Sequence, residues 1–271
     1  MDLLDDIRAH RGSPGVRVWW LGQSGFLVHW NGRYLLLDPY LSDSLTKKYE
    51  NTDKPHVRMK PLVVDPARLG MIDVVTSSHN HTDHLDAETL NPLRAANPGL
   101  QMVIPEANRA FVATRLGSDP NWPVGLNDGE SKQIGPFKFH AIASAHEELD
   151  RTPEGLFPYL GYVVEIGGFM LYHPGDCVLY SGLPEKLKCF SIDLAMLPIN
   201  GSLRQRHVAG NFWGREAAQL AKDGGIRLVI PCHYDMFEFN TVTPDEFIEH
   251  CERLGQPYRI LTGGGVLQIG A

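Results

Sequence analysis

Apolar and polar positions alternate in short blocks along this chain, and the period of the alternation shifts often enough to mark strands and helices in turn. Val16-Leu21 reads as a strand, Gly22-Gln23-Ser24-Gly25 as a turn and Phe26-Trp30 as a second strand. Asn31-Gly32 then predicts a tight hairpin into Tyr34-Asp38, because Asn-Gly tolerates the positive φ angles that two-residue loops require. From about Leu41 to Pro66 the sequence is polar, charged and poorly periodic, and a loop of that length is expected to form part of a substrate pocket. Ile72-Val75 is the next buried strand, followed by a histidine-rich hexapeptide and a helix that Asp86 caps and that runs toward Ala96. Met102-Ile104 and Phe137-Ala145 predict strands, with a helix around Ala107-Leu116 between them.

The second half repeats this rhythm. Strands are expected at Tyr159-Ile166, Phe169-Tyr172 and Leu194-Leu197, then a helix at Gly214-Lys222 and a strand at Arg227-Ile230. A last helix follows Pro244 and a last strand spans Arg259-Leu261, leaving Val266-Ile269 as an edge. Strands alternate with helices in both halves, so the expected class is α/β, two sheets face to face with helices outside. No low-complexity linker divides the halves, and residues 1-271 are read as one domain.

Composition narrows the function. A chain of 271 residues with 43% hydrophobic content can fill a substantial core, and its net charge of -7 gives no basic field that would concentrate nucleic acid. A small-molecule substrate is the default, with no nucleic acid and no membrane partner; homo-oligomerisation is left open. The acidic start Met1-Asp2-Leu3-Leu4-Asp5-Asp6 is unlike a secretory signal, and no apolar run approaches the ~20 residues of a membrane span, so a cytoplasmic location is expected. Cys177, Cys189, Cys232 and Cys251 show no CxxC pairing and read as reduced thiols.

The chemistry is concentrated in His79-Asn80-His81-Thr82-Asp83-His84, directly after an apolar strand and before a helix. Alternate residues of extended chain share a face, so His79 and His81 can ligate one metal while the turn into the helix aims Asp83 and His84 at another. His146, Asp176 and His233 also sit at strand ends, where further ligands belong.

HxHxDH followed by His, Asp and His resembles the ligand series of the metallo-β-lactamase-fold hydrolases, and Asp38 in Leu37-Asp38-Pro39-Tyr40 resembles that family's first motif. The resemblance implies an αββα sandwich with two divalent metal ions per chain. By it, His79, His81 and His146 hold one metal, Asp83, His84 and His233 the other, and Asp176 bridges. Asp38 orients a ligand, and His173 is read as packing behind the site in the same way. A metal-bridging hydroxide is then the nucleophile, with Asp83 placed to hold the water's proton. Nitrogen and oxygen ligands without sulfur suit zinc, manganese or iron. Di-iron oxygen reductases of this fold carry Glu where this chain has His81, and the zinc β-lactamases carry cysteine where it has Asp176, so redox chemistry and antibiotic hydrolysis are disfavoured.

Leu21-Gly22-Gln23-Ser24-Gly25-Phe26, Tyr172-His173-Pro174-Gly175-Asp176 and Pro231-Cys232-His233-Tyr234-Asp235-Met236-Phe237 together resemble the ascorbate-6-phosphate lactonases, the UlaG-like group. That resemblance implies a lactonase acting on a sugar lactone such as L-ascorbate 6-phosphate, or on a related carboxylic ester. Candidate substrate contacts are Tyr234 and the basic loop with Arg204 and Arg206, which either binds an anionic group or is simply solvated. His207 is a candidate acid for the leaving alkoxide. His10, His29, His56, His140 and His250 are assigned no role. The same ligands would also serve a phosphodiesterase acting on nucleotides or RNA, or remain in a non-catalytic binding scaffold of the same fold.

Overall fold

The first strand already sorts its side chains to two sides. In the computed structural model, which describes residues 2–202 and 210–270, Val16, Val18 and Trp20 enter one buried cluster while Trp19 and Leu21 enter another. Both faces of this sheet are therefore covered, and the two clusters are the two interfaces of a layered protein.

The first half runs α1 (Leu3–Ala9), β1 (Val16–Gly22), β2 (Gly25–Trp30), β3 (Arg33–Leu37), α2 (Ser44–Tyr49), β4 (Val74–Thr76), α3 (Ala87–Ala96), β5 (Gln101–Pro105), α4 (Arg109–Leu116) and β6 (Val124–Leu126). The second runs β7 (Ser131–Ile134), β8 (Phe137–Ala143), β9 (Leu160–Ile166), β10 (Phe169–His173), α5 (Leu183–Lys188), β11 (Leu194–Pro198), α6 (Gly214–Asp223), β12 (Leu228–Cys232), α7 (Asp245–Leu254) and β13 (Val266–Ile269). One sheet has the order β13-β1-β2-β3-β4-β5-β6 and the other β12-β11-β10-β9-β8-β7. Each is mixed. The strands β13, β1, β2 and β3 pair antiparallel and β3 to β6 parallel; β7 to β10 pair antiparallel and β10 to β12 parallel.

Phe26, Val28, Leu35, Leu37 and Val103 of the first sheet pack with Phe137, Phe139, Tyr162 and Val164 of the second, forming the core between them. On the far side of the first sheet, Leu27, Leu36, Val75 and Met102 meet Leu4 and Ile7 of α1, Leu90 and Leu93 of α3 and Val112 of α4. The second sheet is joined in the same way by Leu187 of α5, Ala217 and Leu220 of α6 and Phe247 of α7. This is an αββα sandwich, as the resemblance implied, and truncating one such core leucine, Leu36→Ala for example, should cost about 2–5 kcal/mol.

The hairpin at Asn31-Gly32 forms as the turn chemistry requires, with φ of 47° and 73° and Trp30 paired to Arg33. One expected strand is absent, and three elements form where no period marked them. No strand forms at Arg259-Leu261, where only an isolated bridge joins Val229 to Tyr258; Val266–Ile269 is the terminal strand, paired with β1. The acidic start folds as α1 because Leu3, Leu4 and Ile7 still make one apolar stripe, and Asp6 accepts a hydrogen bond from the Trp19 indole at 2.7 Å. β7 escapes periodicity because three of its four residues, Ser131, Lys132 and Gln133, are exposed on an edge strand. The excursion after Leu41 contains α2, whose single buried side chain, Leu45, is too little to register as an amphipathic pattern.

Candidate metal centre

Strand ends deliver the site. The hexapeptide follows β4, His146 lies three residues beyond β8, Asp176 three beyond β10, and His233 immediately after β12. These strands come from both sheets, and their carboxyl ends meet at one edge of the sandwich, where open α/β sheets place ligands.

All seven residues of the sequence-derived series meet there. His79, His81, His146 and Asp176 can offer ligand atoms within 4.8 Å of one another, and Asp83, His84 and His233 form a second such group. Asp176 faces both: Oδ1 lies 3.1 Å from His84 Nε2 and 3.3 Å from His233 Nε2, while Oδ2 lies 3.6 Å from His146 Nε2. His146 donates through Nδ1 to the Gly210 carbonyl, so its Nε2 presents a lone pair, and that atom sits 3.0 Å from His81 Nδ1. His79 Nε2 is buried without a partner, and His84 Nε2 and Asp176 Oδ1, although 3.1 Å apart, are not aligned for a hydrogen bond with each other or with any other group. Buried polar atoms left this way are costly, and nitrogen and carboxylate donors converging on two points fit divalent cations.

Asp38 holds the site from behind. Its Oδ2 accepts from His84 Nδ1 at 2.8 Å, from the Ser78 backbone N–H at 3.1 Å and from the Ser78 hydroxyl, while Oδ1 accepts from Thr76 at 2.7 Å. The imidazole of His84 is thereby oriented with Nε2 toward Asp176. Gly175 permits this arrangement: its φ is 65°, and a Cβ there would lie 2.2 Å from Ser78 Oγ. Three non-glycine residues at the centre, Gln23, Asp38 and His233, also have left-handed backbone, with φ of 49°, 40° and 59°. Backbone conformations of this kind concentrate where the surroundings over-determine them, and here the His233 N–H donates to the Gln23 carbonyl at 2.9 Å.

Charge divides the donors. Burial, reinforced by the neighbouring His84, His81 and His146, holds His79 well below the ordinary imidazole range, and burial with His146 pushes His81 down to about 4. Burial would lower His84 too, but Asp176 and Asp83 outweigh it and hold this imidazole well above its usual value. Asp176 and Asp83 likewise overcome burial at His233 and raise it to about 9. In return, both carboxylates lie well below the usual range despite burial, Asp176 through His233 and His84, and Asp83 through His84 and then His233.

A cavity of about 520 Å³ opens over these donors, a size suited to a small organic substrate. Its lining includes Tyr49, Lys48 and His56 from the excursion, together with Tyr159, Asn211 and Phe237. His173 is not at this surface; it is buried, with Nε2 against the Ser24 carbonyl at 2.8 Å. Tyr234, expected to touch substrate, instead stacks on Trp20 at 5.0 Å in the core and does not line the cavity. Positive φ at both His233 and Asp235 turns the chain so that Phe237 reaches the cavity instead. Arg204, Arg206 and His207 lie outside the described residues.

Several residues that line the cavity carried no role in the sequence, among them Gln23, Asn211 and His56. Gln23, in the turn between β1 and β2, donates to Asp83 Oδ2 at 2.9 Å and lies 3.1 Å from His233 Nε2. Asn211 accepts from the Cys177 N–H, and its Nδ2 is buried without a partner. His56 stacks on Tyr49 at 4.5 Å and packs edge-on to Phe237 at 5.0 Å. Of these three, Gln23 alone lies in a stretch with a local signal, the Gly22-Gln23-Ser24-Gly25 turn.

Known proteins resemble this chain over most of its length. Residues 17–233 match the family described as Beta-lactamase superfamily domain. A UPF0173 metal-dependent hydrolase from Rubrobacter xylanophilus is 30% identical over 89% of this chain and 90% of its own length. A possible metal-dependent hydrolase from Veillonella parvula superposes with a TM-score of 0.75 over 94% of this chain and 100% of that one, at 14% identity. A metallo hydrolase from Ignicoccus hospitalis gives 0.68 over 94% and 99%, at 21% identity. At those identities the two structures speak for the fold.

Proposed function

This chain belongs to the beta-lactamase superfamily and is a metal-dependent hydrolase, and from that premise we propose that it opens a small carboxylic ester, specifically a sugar lactone of the L-ascorbate 6-phosphate kind. The observation that carries the reading is the division of seven donors into two groups that share Asp176, on the floor of a cavity sized for such a molecule. His79, His81 and His146 would hold one divalent cation and Asp83, His84 and His233 the other, with Asp176 between them; zinc and manganese both suit these donors. Bound there, two cations supply a water that ionises near neutral pH and a Lewis acid for the scissile carbonyl.

The remaining work falls to the chain's own side chains. Asp38 and the Gly210 carbonyl fix the tautomers of His84 and His146, leaving each Nε2 free to ligate. Gln23 pins Asp83 Oδ2 and so aims the carboxylate that takes up the proton of the attacking water. Asn211 lines the cavity with a buried amide N–H that lacks a partner, a donor suited to the negative charge that develops on the carbonyl oxygen. Tyr49, Tyr159 and Phe237 give the sugar ring apolar faces to lie against.

The test is a rate comparison on protein of defined zinc or manganese content. Lactones, including L-ascorbate 6-phosphate, should be hydrolysed with higher kcat/KM than bis-p-nitrophenyl phosphate. Faster cleavage of the phosphodiester would overturn the lactonase reading in favour of phosphodiester chemistry, and no turnover of either class at full metal content would favour a binding scaffold.

A further inference from the structure

The two positions of the hexapeptide that are not ligands have cationic neighbours. Asn80 stands between His79 and His81, and its carbonyl accepts from Arg115 Nη1 at 2.6 Å; the same nitrogen reaches the Leu85 carbonyl at 3.2 Å. Thr82 stands between His81 and Asp83, and its hydroxyl lies 3.5 Å from Lys48 Nζ. Asn80, Thr82, Lys48 and Arg115 all line the cavity that covers the donors. Among the described residues of that lining, the carboxylates are Asp83 and Asp176, both turned to the metal-binding groups, while Lys54 adds a third cation to the wall. A positive wall in a chain of net charge -7 is not an average property of its surface.

We propose that Lys48 and Arg115 form an anion subsite, so that the substrate carries a carboxylate or phosphate group remote from the bond that is cleaved. The Arg115 guanidinium is braced by two backbone carbonyls and by the Phe111 ring at 4.4 Å, so its position is set before substrate arrives. Lys48 is exposed on α2 and adjusts to the anion's length. Both contacts reach the loop that carries His79, His81 and Asp83, which couples recognition of the remote group to placement of the reacting one. The proposal rests on the hydrolase reading only in using the same cavity.

Calorimetric titration of the metal-loaded protein tests it. The probes are α,ω-dicarboxylates and ω-phosphonocarboxylates of four to eight carbons, each compared with the monocarboxylate of equal length. At the matching length the second anionic group should tighten binding about fivefold or more in the parent, with the larger gain telling carboxylate from phosphate. Lys48→Ala, which leaves Arg115 in place, should at least halve that ratio, and Lys48→Glu, which sets a carboxylate against the incoming anion, should bring it close to one, whereas monocarboxylate affinity serves as the reference. Lys48 is solvent-exposed, so both variants should fold, and unchanged metal content verifies it. Absence of any preference in the parent, or a preference that survives Lys48→Glu, overturns the subsite. A clear preference in a preparation that hydrolyses no lactone would instead keep the subsite and sink the lactonase reading.

Discussion

The two donor groups share Asp176 and are built mostly from the same side chain, yet they treat protons in opposite ways. The His79 and His81 imidazoles are pushed down by burial and by one another, so they are neutral and ready to ligate at pH 7. The His84 and His233 imidazoles stand among Asp176, Asp83 and Asp38, and they hold protons past neutrality. Identical ligands therefore do not make equivalent sites. A cation entering the first group displaces few protons, while one entering the second must drive protons off, which couples its affinity to pH.

Removing what the groups share should have the largest effect. Asp176→Ala should empty both, whereas His146→Ala should empty mainly the first; metal analysis of the folded variants reads the difference, and equal loss of a single ion in each would contradict the bridging role. Asp38→Asn should be more selective. It weakens the acceptor for His84 directly and reaches His79 only through the Ser78 hydroxyl, so metal affinity of the second group should fall about 10–100-fold and that of the first group by less. Two titrations of the variant with zinc, resolved into tight and weak steps, would show which step has moved further.

Acid separates the groups further. Above about pH 5 His79 and His81 should have no proton to give up to an entering cation, since His81 lies at about 4 and His79 well below the ordinary range, while affinity of the second group should climb up to about tenfold per unit for each proton displaced as pH rises toward 9. Folding stability of the metal-free protein has the opposite slope. A raised folded-state value, as at His233, contributes stability that is complete below the ordinary 6.5 and is lost as pH rises through about 9. Its Tm should thus fall by about 5 °C across that window, and saturating metal should abolish the fall. A metal-free Tm that rises through the same range would show that the carboxylates do not keep these imidazoles charged.

The smallest effect is expected at Gln23, which touches the second group alone. Gln23→Ala removes one hydrogen bond to Asp83, worth about 1 kcal/mol, so kcat/KM should drop about fivefold with metal content unchanged. Loss of metal in this variant would mean that Gln23 maintains the ligand group rather than aims Asp83.

Much of this was legible because it is local. Asn31-Gly32 encodes its own turn, Asp86 its own helix cap through the Glu88 N–H, and the hexapeptide places four donors within six residues after one strand. His146, Asp176 and His233 were legible one step further, as polar residues ending apolar runs. The failures have separate causes: β7 and α2 bury too little to leave a period, while Tyr234, between left-handed backbone at His233 and Asp235, packs on Trp20 instead of facing the cavity.

The sequence by itself determined the period of each strand, the two-faced sheets that follow from it, and the chemical kinds of the donors, since these depend on neighbours a few residues apart. Only the tertiary structure decided that Gln23 reaches Asp83 across 60 positions and Asp38 reaches His84 across 46. It also decided which imidazoles sit beside carboxylates and which beside one another. Proton affinity depends on distance and burial in three dimensions, and strand order, which no local pattern encodes, sets both.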